Sequence, residues 1–411
     1  MYAWKMKALF IVALCLSFVG CGGKEEQSSA VNEPVTLTFY SGQNFFLDFE
    51  KDVAEPIRNK YPHITLELVK SGKGTTYQEL IAQGKPFDII YDSAAFTANN
   101  ILDNGLGFEL RDMAKKHNLN LNVFEPNVLS QSINSNADKK LYGIPFLVNK
   151  YVLIYNKDIF DRFGVPYPKD GMTWDDVYEL AKRVSRTENG VYYQGFNAVP
   201  NNMMLNNQLS IIPLHHTENK AAVYTADWAR LVNNLKRFFE ITSEDKVLPI
   251  NDFSKGRIAM TVHNTNPIAT WVESNPGLNW DIASTPTLPD RRDVGFKPAT
   301  LALFVGQTSA HKDAAFLVIK ELVSEEVQLH ISKQGFGTPL ASQTVKRAFG
   351  QDNPLYQGKN TKAVYYLKDA PASEPRADKL IDVDVNFNKV LDKVLVQGMD
   401  VNSALRQFEE E

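Results

Sequence analysis

Two side-chain amides and an aromatic ring directly follow the first predicted strand. The β-branched and aromatic run 35–40 indicates this strand, and a Ser-Gly pair ends it. Gln43, Asn44 and Phe45 occupy the turn that comes next. The carboxyl ends of parallel strands form the usual ligand edge of an α/β sheet, and amides both donate and accept hydrogen bonds. We therefore take these three residues as candidate ligand contacts, with capping of the next helix as the alternative for the two amides.

Other patterns that could perform chemistry are incomplete. The loop 71–76 is rich in Gly, Ser and Thr, but it lacks the spacing of a phosphate-binding loop, so we interpret it as a flexible connection with anion binding as the lesser alternative. His215 and His216, with Glu218 nearby, are more simply a solvated loop than a metal site. The segment 382–393 begins like a calcium loop but lacks its required Gly and Glu. The nucleophile and zinc-protease motifs are missing as well, so we expect no catalytic residues, no metal site and no cofactor.

The composition indicates a folded protein of about two domains. The chain has 411 residues, of which 44% are apolar, with 44 Lys and Arg against 48 Asp and Glu. A net charge of −4 gives no concentrated basic face, so we expect no nucleic-acid partner. Two cysteines are too few for a disulfide scaffold or a thiolate metal site.

The first residues have the pattern of an export signal. Two lysines precede an apolar run, 8–19, whose helical length of about 18 Å is well short of the roughly 30 Å core of a bilayer. The run ends at Gly20-Cys21, and this junction resembles the lipobox of bacterial lipoproteins. We therefore predict a signal peptide over 1–20, lipidation of Cys21 and a flexible tether over 21–34. An ordinary cleaved signal is the alternative.

The body of the chain alternates strand and helix patterns. Strands are predicted over 35–40, 64–69 and 87–91, and an amphipathic helix with an interrupting Pro56 lies between the first two. A second stretch of the same kind includes a capping box at Thr173. This alternation predicts an α/β fold of mainly parallel sheets flanked by helices.

Ordered sequence blocks resemble the family-one extracellular solute-binding proteins of bacterial ABC importers, which include maltose- and oligosaccharide-binding proteins. The blocks that carry the resemblance are Pro86-Phe87-Asp88-Ile89-Ile90-Tyr91, Leu141-Tyr142-Gly143-Ile144-Pro145, Leu153-Ile154-Tyr155-Asn156-Lys157-Asp158, Thr173-Trp174-Asp175-Asp176, Phe253-Ser254-Lys255-Gly256-Arg257-Ile258-Ala259-Met260, and the pair 309–315 and 324–328. Each block is weak alone, but their order over 35–411 is specific.

The resemblance implies two α/β lobes joined by a hinge that the chain crosses three times. Matching the blocks places the crossings near 147–151, 297–301 and 335–339. Lobe 1 would then comprise 35–148 plus 301–335, and lobe 2 would comprise 149–300 plus 336–411. Such a protein closes its lobes on a solute and delivers the solute to a permease without altering it.

The resemblance also implies ligand contacts. Tyr91 matches a stacking aromatic and Asp92 a hydrogen-bonding carboxylate, for which surface capping is the alternative. Asn149, at the first crossing, matches a polar ligand contact. The remaining candidates adjoin a crossing or follow the 253–260 block: Phe146, Asn264, Asn266, Phe296 and Phe336. Packing in the hinge is the alternative for the last two.

These observations lead to the hypothesis of a monomeric, lipid-anchored solute-binding subunit of an ABC importer. A sugar or oligosaccharide is the preferred ligand, because aromatic faces stack on sugar rings while Asp, Asn and Gln bond hydroxyls. A small charged solute, such as a polyamine or metal chelate, is the rival ligand. The rival functions are ligand sensing for a signalling partner and, more remotely, a secreted glycoside hydrolase.

Overall fold

The structure is a computed structural model that describes residues 33–241, 247–265, 268–377 and 385–410. Cys21 and Asn266, both candidates from the sequence, lie outside the described residues. The strands in chain order are β1 Val35–Ser41, β2 Ile64–Lys70, β3 Ile89–Ser93, β4 Gly143–Asn149, β5 Tyr151–Asn156, β6 Arg186–Glu188, β7 Val191–Tyr193, β8 Asn197–Ala198, β9 Met260–Asn264, β10 Trp280–Ala283 and β11 Ala299–Val305.

The α-helices in chain order are α1 Glu55–Lys60, α2 Tyr77–Ala82, α3 Arg111–Lys116, α4 Pro126–Asn134, α5 Lys157–Phe163, α6 Trp174–Val184, α7 Pro200–Leu205, α8 Ala226–Phe239, α9 Ile268–Ser274, α10 Lys312–Leu322, α11 Glu325–Lys333, α12 Gln343–Arg347, α13 Phe387–Leu395 and α14 Val401–Glu410. Shorter helical turns of 3₁₀ or π type lie between them, for example at Phe49–Ala54 and Ala94–Phe96. Within the described ranges, no helix combines the length and the apolarity that crossing a bilayer requires.

Local signals in the sequence set several of these boundaries. The predicted capping box begins α6: the Thr173 hydroxyl accepts from the Asp176 amide at 3.2 Å, and the Asp176 carboxylate accepts from the Thr173 amide at 2.8 Å. Pro56 lies in the first turn of α1, immediately after the π-type turn 49–54. The predicted interruption of that helix is confirmed, because proline fits the start of a helix, where its missing N–H is not needed.

The strands form two main sheets. The first is five-stranded with the order β2-β1-β3-β11-β4, and the second is four-stranded with the order β10-β5-β9-β8. In the first sheet β1 pairs in parallel with β2 and β3, whereas β11 is antiparallel to β3 and β4. In the second sheet β5 is antiparallel to β9 and β10, and β8 is parallel to β9. Each sheet therefore has one reversed strand.

The reversed strands have a simple cause in the path of the chain. β4 leaves the first sheet at Asn149, and β5 enters the second sheet at Tyr151. β11 returns from the second sheet and enters the first at Ala299. A strand that enters from the neighbouring sheet runs away from the junction, whereas the other strands of its sheet run toward it. The edges that adjoin the junction, which we call the interlobe edges, thus carry the ends of β1, β2, β3, β4, β8, β9 and β10.

Each sheet is covered by apolar residues on both faces. In the first sheet, Leu37 and Phe39 belong to one core cluster and Tyr40 belongs to another, as the alternation of side chains along a strand requires. In the second sheet, Leu153 faces the cluster that contains Trp228, whereas Ile154 faces a separate cluster. Two double-sided layers confirm the predicted two-lobe α/β fold.

The core clusters also indicate where the chain leaves the first lobe for the last time. Leu340 and Val345 pack in the first lobe, and Phe349 packs against the second sheet. We infer that the third crossing lies between 345 and 349, C-terminal to the predicted 335–339. The chain turns at Gly335 but stays with the first lobe, because the amide of Val148 donates to the carbonyl of Gly337 at 3.0 Å.

Candidate functional site

A buried carboxylate organises the interlobe edge of the first lobe. Asp92 has no exposed surface, and its Oδ1 accepts from Gln43 Nε2 at 2.7 Å. Its Oδ2 accepts from Tyr77 Oη at 2.6 Å and from Asn100 Nδ2 at 2.9 Å. The half-buried side chains of Gln43 and Asn100 thus each donate one N–H to Asp92, and their side-chain carbonyl oxygens remain as acceptors. This arrangement suits a ligand that presents hydroxyl groups.

The packing around Asp92 explains the glycine of the preceding turn. A Cβ on Gly42 would lie 2.5 Å from Tyr77 Oη and 2.6 Å from Asp92 Oδ2. Burial, followed by the charge of Asp92, raises the pKa of Tyr77 far above its ordinary value of 10.0, so the phenol stays protonated and donates to the carboxylate. The carboxylate network therefore requires a residue without a side chain at position 42.

Most of the predicted aromatic contacts in the first lobe are packing residues. Tyr91 and Phe146 have no exposed surface and lie in the core, so the stacking role that the resemblance implied for Tyr91 does not fit its position. The Tyr91 hydroxyl is buried with no hydrogen-bond partner among the described residues. Phe45 packs edge-on against Tyr91, with ring centroids 4.9 Å apart, and Phe336 is half-buried against the same core. Side chains buried in this way stabilise the edge by packing, and contact with a solute must come from other side chains.

Two exposed rings at the same edge were missed from the sequence. Phe46, in the loop after β1, is 51% exposed, and Phe96, in the turn after β3, is 46% exposed. Asn44, two residues before Phe46, is exposed as well. Phe46 adjoins the predicted Phe45, and Phe96 follows Asp92 by four positions, so their nearness to the strand ends was the available signal. Exposed rings beside hydrogen-bond acceptors are the elements of a sugar platform.

The interlobe edge of the second lobe centres on Tyr151. Its ring stacks on Phe296 with centroids 5.5 Å apart, and its hydroxyl accepts from Asn206 Nδ2 at 3.0 Å. Burial raises the pKa of Tyr151 above 10.0. Phe296 is only 6% exposed and packs against Trp174 as well, which gives it a hinge-packing role. Asn264 pairs with Tyr151 at the end of β9, which places it on this edge.

The first crossing contains a buried ion pair. Lys150 lies between β4 and β5 and pairs with Asp369; their side chains are only 8% and 13% exposed. The Lys150 ammonium also lies 5.2 Å from the ring centroid of Tyr365. Asn149, half-buried at the end of β4, pairs with Ala299 at the start of β11. A small cavity of about 20 Å³ adjoins the ion pair and is lined by Lys150, Tyr151, Thr285, Gly295, Phe296, Pro298, Ala363, Val364, Leu367, Lys368 and Asp369.

The acidic and histidine side chains of the described ranges do not gather into a group that could hold a metal ion. His215 Nε2 lies 3.6 Å from Glu218 Oε1 in an exposed loop, and His216 is close to the carbonyl oxygen of Pro375. The side-chain partners of Asp92 are two amides and a phenol. The donors and acceptors at the two interlobe edges are therefore suited to hydrogen bonding with a solute.

Comparison with known proteins agrees with this geometry. The family profile described as bacterial extracellular solute-binding protein matches residues 43–329. The sn-glycerol-3-phosphate-binding periplasmic protein UgpB of Rhizobium meliloti is 22% identical over 381 residues, which cover 85% of this chain and 79% of that protein. The melibiose/raffinose/stachyose-binding protein MelE of Bacillus subtilis is 22% identical over 321 residues, which cover 72% and 71% of the two chains.

A solved structure has the same fold. The crystal structure of a sugar transporter from Rhizobium etli, in an open conformation, superposes with a TM-score of 0.71 at 20% identity and covers 92% of this chain and 98% of that chain. The profile match spans well over half of the sequence and includes every strand of the two main sheets except β1. This chain belongs to the family of bacterial extracellular solute-binding proteins.

Proposed function

We propose that the protein captures a sugar or oligosaccharide between its two lobes and delivers it to the permease of an ABC importer. The observation that carries this proposal is the Asp92 network, which orients the side-chain amides of Gln43 and Asn100, together with the exposed rings of Phe46 and Phe96 that follow the same two strands. Carbohydrates need both features, because their hydroxyls donate hydrogen bonds and their C–H faces stack on aromatic rings.

The relatives support a polyol ligand. Their names record binding of melibiose, raffinose and stachyose in one case and of sn-glycerol 3-phosphate in the other. All of these solutes carry several hydroxyl groups. A polyamine would instead require carboxylates that face the solute, whereas the carboxylate of Asp92 is buried behind the amides that it orients.

Capture without chemistry is the proposed mechanism. A solute that contacts both interlobe edges favours the arrangement in which the edges approach, and the permease would recognise that arrangement. We propose a monomeric receptor, held at the membrane by lipid on Cys21, whose lobes divide near 149 and 299.

A binding screen tests the proposal. Raffinose, maltose, arabinobiose and sn-glycerol 3-phosphate are compared with putrescine and ferric citrate by thermal shift and then by calorimetry. A sugar or polyol present at a hundred times its Kd should stabilise the fold by about 2.7 kcal/mol. A shift with putrescine or ferric citrate alone would contradict the carbohydrate assignment, and catalytic turnover of a bound sugar would contradict a purely binding role.

A matched pair of variants locates the site. Phe96→Ala removes an exposed ring from the interlobe edge and should weaken sugar binding by about tenfold, the equivalent of about 1.4 kcal/mol. Tyr224→Ala removes a ring that is equally exposed, at 46%, but lies beside Arg406 and away from both edges. Equal effects of the two substitutions on sugar affinity would contradict binding at the interlobe edge.

A further inference from the structure

A stripe of amides on α4 faces the junction between the lobes. Asn127 Nδ2 donates to the carbonyl of Asp369 at 2.8 Å, and Asn134 Nδ2 donates to the carbonyl of Ser373 at 3.2 Å. Both acceptors belong to the extended segment 367–377, which we call the bridging segment. The bridging segment also bonds the second lobe, because the Ser210 hydroxyl donates to the carbonyl of Pro371 at 2.7 Å.

An ammonium without an anionic partner lies in this junction. Lys297 is half-buried between Phe296 and Pro298, and its amide donates to the carbonyl of Asn206 at 2.9 Å. Among the described residues its Nζ has one hydrogen-bond partner, the Ser373 hydroxyl at 3.0 Å, and no carboxylate partner. A half-buried cation that meets only a hydroxyl group has donor capacity left over.

The neighbouring carboxylates are already paired with other lysines. Asp369 pairs with Lys150, and Glu374 lies 3.5 Å from the ammonium of Lys139. Neither of these acids is bonded to Lys297. Among the described residues, the positive charge of Lys297 therefore has no compensating carboxylate, whereas the carboxylates of the bridging segment have partners.

A second donor in the same region also lacks an acceptor. Gln131 lies one turn before Asn134 on α4, and its Oε1 accepts from the Thr300 hydroxyl at 2.8 Å. The Nε2 atom of Gln131 is buried and has no hydrogen-bond partner among the described residues. The turn 131–134 of α4 thus contacts the strand that follows Lys297 and also the Ser373 residue that Lys297 bonds.

We propose that Lys297 and Gln131 form a subsite for an anionic group of the ligand, so that the solute is a sugar or polyol with a phosphate or a carboxylate. This inference rests on the proposed function and specifies its ligand class. Phosphate and carboxylate oxygens accept several hydrogen bonds and would compensate the ammonium charge. Gln131 belongs to the first lobe and Lys297 to the crossing into it, so an anion held by both connects the two parts.

The ionisation of Lys297 agrees with this assignment. Burial lowers the pKa of its ammonium from 10.5 to about 8, which means that the folded protein bears a desolvation cost for keeping it charged at neutral pH. An anionic ligand would offset that cost. Titratable groups with strongly shifted pKa values cluster at functional sites.

Matched ligand pairs test the subsite by calorimetry at pH 7. The pairs are glucose 6-phosphate with glucose, glucuronate with glucose, and sn-glycerol 3-phosphate with glycerol. The acidic member should bind at least about tenfold more tightly than its neutral partner. Lys297→Met should abolish this preference, Gln131→Leu should reduce it, and binding of the neutral partner should change less than about twofold. Lys182→Met, at an exposed lysine of α6, should leave the preference intact.

The outcomes separate the inference from the function on which it rests. Neutral sugars that bind as tightly as acidic ones, with no effect of Lys297→Met, would overturn the subsite and leave sugar capture standing. Failure of every sugar and polyol to bind would overturn both. The melting temperature of the ligand-free Lys297→Met protein supplies a further readout: it should rise if the ammonium serves a ligand, whereas a fall would assign Lys297 a structural role.

Discussion

At the scale of single residues, Asp92 acts through the groups around it. A fully buried carboxylate is costly unless its oxygens accept hydrogen bonds. Here Oδ1 accepts from the Gln43 side chain and the Ser93 backbone amide, and Oδ2 accepts from the Tyr77 phenol and the Asn100 side chain. The same bonds fix the orientation of Gln43 and Asn100. The solute would then meet amide oxygens that are already aligned, which lowers the entropy lost on binding.

Gly42→Ala tests the network without removing any of its groups. The new Cβ would lie 2.5 Å from Tyr77 Oη, so the phenol and Asp92 must separate. We expect a loss of about 1–3 kcal/mol in the free energy of unfolding and a loss of about tenfold in affinity, measured by urea titration and calorimetry. Gly72→Ala is the control, because its Cβ would meet nothing nearer than 3.7 Å. Equal behaviour of the two variants would contradict the assigned role of the network.

The lowered pKa of Lys297 predicts a specific dependence of stability on pH. The ammonium of Lys297 keeps its proton up to about pH 10.5 in the unfolded chain but only up to about pH 8 in the folded chain. Because the unfolded state binds more protons between these values, the free energy of unfolding rises with pH over that range. The nearby pairs Lys150–Asp369 and Lys139–Glu374 are present both in the natural protein and in the Lys297→Met variant. We expect Lys297→Met to be more stable by about 2 kcal/mol at pH 7 and the difference to shrink by pH 10.5, measured by urea titration. A difference in the free energy of unfolding that stays constant between pH 7 and pH 10.5 would contradict the lowered pKa of Lys297.

Residue positions near strand ends were predictable, but their exposure was not. Gln43 and Asp92 could be chosen because a strand end is visible in sequence and lies at the ligand edge of a sheet. The family resemblance implies a stacking role for Tyr91, but the structure buries Tyr91 and exposes Phe96. Residues 89–92 of β3 are all buried, so the usual alternation of inward and outward side chains gave no warning.

At the scale of elements, the bridging segment 367–377 connects the parts that the hinge separates. It bonds α4 of the first lobe, the crossing residues Lys150 and Lys297, and the Ser210 loop of the second lobe. A relative movement of the lobes must therefore change some of these contacts. The segment contributes to the balance between arrangements of the two lobes.

Asp369→Ala tests the anchoring of the bridging segment. It leaves the buried ammonium of Lys150 without its carboxylate, so we expect a loss of about 3 kcal/mol in the free energy of unfolding. Asp293→Ala is the control: Asp293 pairs with Lys368 near the same segment, but both side chains are more than two-thirds exposed, at 68% and 78%. We expect it to change stability by less than about 0.5 kcal/mol. A mild effect of Asp369→Ala in urea titrations would show that the pair does not anchor the segment.

Element boundaries followed from the sequence where a local signal acts alone. The Thr173 capping box and the interruption at Pro56 depend on neighbours within four residues, and both are confirmed. The third crossing depends on tertiary packing instead. Matching the family blocks predicts this crossing at 335–339, where Gly335 follows α11, whereas Leu340 and Val345 pack in the first core. A turn signal specifies a change of direction and does not specify the surface against which the chain packs next.

At the scale of the whole molecule, the protein is built on two main sheets that share a junction. Each sheet presents one interlobe edge, and the proposed contacts lie on these edges: Gln43, Asn100 and Phe96 in the first lobe, Asn264 in the second, and Lys297 at the crossing. This architecture followed from the order of family blocks, because block order reflects the path of the chain. The ligand did not follow from it, because the same path serves many solutes.

Cys21→Ser tests the attachment of the whole molecule to the membrane. The full chain, expressed in a bacterium with its own signal, should lose incorporation of labelled palmitate and move from the membrane fraction to the soluble extracytoplasmic fraction. Cys15→Ser is the matched control, because Cys15 lies within the predicted signal and would be removed with it. Retention of label in Cys21→Ser, or its loss in Cys15→Ser, would contradict lipidation at Cys21.

The central place of β11 in the first sheet has a consequence for the order in which the molecule is completed. β11 lies between β3 and β4, yet it follows every strand of the second sheet in the chain. When the polypeptide leaves an export channel amino end first, the edges of β3 and β4 that pair with β11 therefore stay unpaired until residue 305 has emerged. All strands of the second sheet are outside by then. The lobe that is synthesised first is the last to have its sheet closed, and its borders need protection from self-association during secretion rather than after it.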